Sequence, residues 1–138
     1  MVNYIYVAVG SAIGGVARFV VGSWMQRRLD DWAPRAGALP FPIGTLIVNV
    51  TGSLLLGGVL VVVARQQPAN QNATRLLLAV GLCGGYTTFS TLSADTLGLM
   101  ENGGSAMAMV NVVASMALGI AAVFAGAFLA RAALGRVA

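Results

Sequence analysis

Four apolar stretches, each long enough to cross a bilayer, decide what this chain can become. They run over Tyr4–Met25, Gly44–Ala64, Leu76–Met100 and Ser105–Ala130, each bounded by Arg, Pro or a polar cluster. A helix needs ~20 residues to cross the hydrocarbon core, so every stretch qualifies. The 138 residues are 58% hydrophobic and 9% charged, against about 25% charged in an ordinary soluble domain. So short a chain cannot hide that much apolar surface from water, and lipid is its expected solvent. The expectation is an all-α integral membrane protein of four transmembrane helices forming a single domain over 1–138. The links are Gln26–Ile43, Arg65–Arg75 and the short Glu101–Gly104. The first holds Pro34, Pro40 and Pro42, so it is expected to be extended or turned. The N-terminal stretch has no positive segment before it and is too long for a signal-peptide core, so it reads as a retained helix.

Net charge is +4, and every basic residue is Arg. The arginines are scattered between apolar runs rather than gathered in a patch, which argues against nucleic acid as a partner. An even number of spans puts both termini on one side, with Arg65, Arg75, Arg131 and Arg136. The other side carries Arg27, Arg28 and Arg35. Four against three barely orients the chain under the positive-inside rule. Insertion both ways would allow an antiparallel homodimer with its axis in the membrane plane; a single orientation is the alternative. Cys83 stands alone, so it makes no internal disulfide. The absence of His removes the commonest general base and metal ligand.

Polar groups inside spans are costly and call for a reason. An Arg at a helix centre costs ~2.5–3.5 kcal/mol on insertion scales. Arg18 either snorkels to the interface or lines a wet vestibule that attracts anions; Gly14 and Gly22 flank it on one face. Thr45, Asn49 and Ser53 recur at every fourth position and form one polar stripe. That stripe serves equally well as interhelical glue or as pore lining, with Asn49 offering two amide N–H donors. Gly84–Ser93 reads Gly-Gly-Tyr-Thr-Thr-Phe-Ser-Thr-Leu-Ser, a poor continuous helix whose hydroxyls compete for backbone bonds. It is either a kinked helix or a break, and a break at membrane depth is tolerated only within protein or beside a watery cavity. Asn111, Ser115 and Gly119 form a second track in the fourth stretch. Asp95 and Glu101 sit near the end of the third stretch and in the following link. Gly10 with Gly14, and Gly81 with Gly85, have the spacing that lets helices approach closely in lipid.

The segments Gly44-Thr45-Leu46-Ile47-Val48-Asn49 and Gly81-Leu82-Cys83-Gly84-Gly85-Tyr86-Thr87-Thr88-Phe89-Ser90-Thr91 resemble the Fluc (CrcB) family of microbial fluoride channels. Gly14-Gly15-Val16-Ala17-Arg18 fits the same pattern, and the likeness covers all four stretches. The resemblance implies a dual-topology homodimer with two antiparallel pores and a third helix broken mid-membrane. It implies that Asn49 donates its amide to fluoride and that Phe89 presents its ring edge, the positive rim of the aromatic quadrupole. Ser90, Thr91 and Ser115 would belong to the polar path, Asn111 would stand at a track position, and Arg18 would be the vestibule arginine. Gly84 and Thr87 would offer backbone carbonyls to a structural sodium ion at the dimer interface. Where the family commonly reads Thr-Phe-Ser-Thr-Phe-Ser, the second aromatic is here Leu92, which leaves open that the chain is one half of a heterodimer.

Fluoride is small and strongly hydrated, so a pore must replace its water with many weak donors. Amide, hydroxyl and ring-edge donors do this without a fixed charge. A small four-helix multidrug transporter would need a carboxylate in mid-span, and the first span carries Arg18 instead. A non-conducting scaffold explains the glycines but not the polar run of the third stretch. No His or paired carboxylates are available for enzyme catalysis. The expected function is passive fluoride export across the inner (plasma) membrane.

Overall fold

The computed structural model describes residues 1–32 and 41–135, without the side chains of 29, 30 and 32. Pro34, Arg35, Pro40 and Arg136 lie outside the described residues. The described chain is all helical: α1 (Val2–Trp32), α2 (Ile43–Ala64), α3 (Pro68–Thr74), a π-helical segment (Arg75–Cys83), α4 (Gly84–Tyr86), α5 (Phe89–Glu101) and α6 (Ser105–Ala133). Four segments are long and apolar enough to cross a membrane: Val2–Arg28, Ile43–Ala64, Pro68–Glu101 and Ser105–Ala133.

Two boundaries differ from the sequence reading. The helix of the first span does not stop at Met25 but runs on to Trp32, because Gln26-Arg27-Arg28-Leu29 are good helix formers that extend it beyond the apolar run. The link after α2 is shorter than Arg65–Arg75, since Pro68 starts a new helix from its first turn, where a missing N–H costs nothing. The turn between α5 and α6 is closed by Gly103, whose φ of +79° favours glycine.

The helices pack through small residues. The main pairings are α2 with α6 and α1 with the π-helical segment, and α5 lies along α6. A Cβ on Gly81 would stand 2.9 Å from the Cα of Gly10, and one on Gly85 would stand 2.7 Å from the carbonyl oxygen of Ser11. These contacts bring the backbones of α1 and the third span together. A Cβ on Gly57 would lie 2.9 Å from the amide nitrogen of Ala127, so α2 and α6 cross just as closely. Lipid tails are as apolar as Leu, so close backbone approach, rather than apolar burial, holds such a bundle. Accordingly the core is thin, with Val48 and Asn111 the largest fully buried side chains among the described residues, while Phe19, Phe89, Phe124 and Phe128 project outward.

Candidate functional site

The third span leaves the helix at Thr87 and Thr88, both of which adopt extended backbone. The reason is local. Thr88 caps α5: its Oγ1 accepts the N–H of Thr91 at 3.1 Å, satisfying one of the orphan donors of a new helix. The same hydroxyl donates to Thr91 Oγ1 at 2.9 Å and lies 3.2 Å from Ser90 Oγ. The preceding helix ends at Tyr86, and the carbonyl of Cys83 accepts both the N–H and the hydroxyl of Thr87. The glycines Gly84 and Gly85 stay helical; it is the two threonines that break the run.

Asn49 meets this interruption from α2. Its Nδ2 donates to the carbonyl of Thr88 at 3.1 Å, and the N–H of Thr88 donates to its Oδ1 at 2.7 Å. One amide side chain thus serves both main-chain polar groups of Thr88, a residue outside the helix, and Nδ2 retains a second N–H. Tyr86 is held on the same side, with its hydroxyl 3.0 Å from Thr51 Oγ1. Gly52 makes room for the ring, since a Cβ there would fall 2.8 Å from Tyr86 Cδ1.

Next to the interruption, a groove of about 630 Å³ runs between α1, α2 and α5. Arg18, Arg27, Gln26, Thr45, Thr88, Thr91 and Asp95 contribute its polar lining. Arg18 is half-buried and lines this groove. Asp95 is the residue sequence reasoning undervalued. It lies within α5 rather than at its end, and its carboxylate accepts the hydroxyl of Thr45 at 2.6 Å. The available signal was a lone acid about one turn beyond Thr91 in an otherwise uncharged stretch; its pairing with Thr45 depends on how the helices meet.

The remaining expected residues divide. Ser90 and Thr91 are exposed at the start of α5. Phe89, 73% exposed, does not line the Arg18 groove. It lies along a separate apolar groove of about 340 Å³ with Leu92, Thr96 and Met116. Asn111 is fully buried between α6 and α5, where its Nδ2 donates to Thr96 Oγ1 at 3.1 Å. Asn111 Oδ1 and Ser115 Oγ are buried with no hydrogen-bond partner among the described residues, an arrangement costly enough to expect an ion, a water or a moving side chain there. Gly119 faces the stripe of α2, its Cβ position 3.5 Å from Ser53 Oγ. Gly84 is exposed and Thr87 half-buried. The chain therefore gathers Arg18, Asn49 and Thr91 around Thr88, while Asn111 and Ser115 are buried apart from them and Phe89 faces outward.

Comparison with known proteins agrees with this architecture. The profile of the family described as "CrcB-like protein, Camphor Resistance (CrcB)" matches residues 5–127. A protein of Agrobacterium fabrum named fluoride-specific ion channel FluC is 44% identical over 131 residues, covering 95% of this chain and 98% of its own length. Proteins of the same name from Rhizobium meliloti and Roseiflexus are 42% and 44% identical, covering 96% and 94% of this chain and 98% and 97% of their own. A full-length match of this kind, on a bundle with four segments able to span a membrane, places the chain in the CrcB family.

Proposed function

We propose that this multi-pass membrane protein is a fluoride-selective channel of the inner (plasma) membrane. Cytoplasmic fluoride would leave through it passively, down its electrochemical gradient, giving fluoride resistance. The observation that carries this reading is the released Thr88 peptide, ringed by uncharged donors and opening beside the Arg18 groove. Fluoride gives up its water only to many good donors, and the second N–H of Asn49 and the hydroxyls of Ser90 and Thr91 supply them. Arg18, in the wider groove, raises the local anion concentration without binding at the narrowest point. The relatives named fluoride-specific ion channel support the same assignment.

The working unit in this reading is an antiparallel homodimer with the interruption at mid-membrane depth. Two features support it: Phe89 is left exposed and outside the Arg18 groove in a single protomer, and the arginines are nearly balanced between the two sides. A second copy packed on this face would cover the Phe89 ring. A structural sodium ion on the dimer axis fits the donor set, since unwound backbone carbonyls are sodium ligands in membrane proteins. Thr87 offers such a carbonyl, and Gly84 is exposed, with only the Ala79 oxygen, at 3.9 Å, near its Cβ position. When bound, the ion would tie the two interruptions together.

The test is ion efflux from liposomes holding the purified protein, read with fluoride and chloride electrodes. Rapid fluoride release without chloride release is expected. No fluoride release, or equal chloride release, overturns the assignment. Because Leu92 stands at the second aromatic position, the same assay separates a homodimer from half of a heterodimer: a chain silent alone but active with a co-expressed relative would be the half.

A further inference from the structure

At the opposite end of α2 from Asn49, a second groove of about 820 Å³ lies between α2 and α6. It is lined by Leu60, Val61, Ala64, Val123 and Ala127, with Arg65 and Arg131 at its rim. The two helices cross in backbone contact at Gly57 and Gly126, and the groove follows the small side chains beyond that crossing. From Val123 to Arg131 it extends ~12 Å along α6 at ~1.5 Å per residue. Both arginines stand where the spans end, just past Ala64 and just before Ala133, which is headgroup level. The two differ in what they have left to offer. Arg65 spends Nη1 and Nη2 on the carbonyls of Leu134 and Gly135, at 3.0 and 2.7 Å. Arg131 is exposed, with no hydrogen-bond or ion-pair partner among the described residues. Among the described residues, no acidic side chain lines the groove.

We infer that this groove is a binding site for an anionic phospholipid. Its phosphate pairs with the guanidinium of Arg131, bidentate in geometry, and one acyl chain lies between α2 and α6 against Ala127, Leu60 and Val61. Charge complementarity commits the site to this occupant: an apolar channel that opens under a fixed, unpaired cation at the interface matches an anionic lipid and not a neutral one. Arg65 acts as the rigid shoulder, positioned by the C-terminal carbonyls of α6. The inference needs the membrane bundle but not the identity of the conducted ion.

The full-length protein is reconstituted in equal dioleoyl-phosphatidylglycerol and dioleoyl-phosphatidylcholine, extracted in mild detergent, and its retained lipid weighed by native mass spectrometry. Phosphatidylglycerol is expected to be retained about fivefold over phosphatidylcholine, the worth of one arginine at an anionic surface. Arg131→Gln abolishes the preference and Arg131→Lys keeps most of it. Ala127→Phe, which fills the channel with the charge intact, also loses the lipid. Equal retention of both lipids, or retention unmoved by Arg131→Gln, overturns the site. So does efficient cross-linking of Ala127→Cys between protomers in a Cys83→Ala background, which would show a second copy on this face. Fluoride efflux of Arg131→Gln in neutral liposomes stays at the wild-type rate, so loss of the lipid site and loss of conduction read out separately.

Discussion

Asn49 and Thr88 exchange two hydrogen bonds, side-chain amide against main-chain peptide, across the junction of α2 and the interrupted third span. The pairing changes what Asn49 is. It cannot offer both amide hydrogens to an anion while one is engaged by the Thr88 carbonyl. It is a brace for the released peptide that also presents one donor, so the glue and pore readings of this residue meet in a single side chain.

Replacing that brace separates the two roles. Asn49→Leu leaves the N–H and carbonyl of Thr88 unpaired, a desolvation cost of ~1–3 kcal/mol for each buried group, and is expected to lower the melting temperature as well as efflux. Asn49→Asp still accepts from Thr88 N–H but loses the donor and adds a negative charge beside the anion path. Fluoride efflux is expected to fall at least tenfold, with a stability loss from the Thr88 carbonyl left facing a carboxylate oxygen. Thermal melting in detergent and a fluoride electrode read the pair. Wild-type efflux in both variants would remove Asn49 from the pathway.

The Thr88 hydroxyl is the N-cap of α5. Thr88→Ser retains the cap and is expected to be near neutral. Thr88→Val keeps the shape and loses the acceptor, costing ~1 kcal/mol and loosening Ser90 and Thr91, which it now bonds. Melting temperature measures the first effect and fluoride efflux the second, and both should fall together in Thr88→Val alone.

Glycine substitutions should divide by contact rather than by composition. Gly126→Ala drives a methyl into the Leu54 carbonyl, and Gly85→Ala one into Ser11; overpacking of this kind costs ~1–3 kcal/mol. Gly98 lies within α5 with nothing within 4 Å of its Cβ position, so Gly98→Ala is expected to stabilise by ~0.5–1 kcal/mol. A melting series on the three variants checks the order.

These contacts mark how far sequence reasoning reaches. Four spans were legible because lipid demands length and apolarity, both local properties. The composition of Gly84–Ser93 pointed to a loss of helix without fixing the residue: Gly84 and Gly85 stay helical, and the backbone departs at Thr87 and Thr88, where a hydroxyl can cap the next helix. That Asn49 would pair with Thr88, and Thr45 with Asp95, was not legible. Those pairs depend on the rotation of α2 against the third span, where Gly52 fits against the side chains of Tyr86 and Thr87. The polar tail of α1 past Met25 was missed because the end of an apolar run marks the membrane surface, not the end of a helix.

The groove beside Thr88 sets Arg18 and Arg27 against Asp95 on its walls, and their influence on a passing anion must depend on salt. At ~0.01 M ionic strength the Debye length is about 30 Å, and at ~1 M about 3 Å. If Arg18 concentrates anions at the mouth, Arg18→Gln slows fluoride efflux severalfold in dilute buffer. The deficit then shrinks towards wild type as an impermeant salt is added, because screening removes from the wild type what the mutation has already removed. Asp95→Asn acts in the other direction: the amide keeps an acceptor for Thr45 while the opposing charge goes, so efflux rises in dilute buffer and the gain fades with salt. A deficit in Arg18→Gln that is the same at every ionic strength would mean that the guanidinium contributes by packing or direct contact, and the steering role would fall.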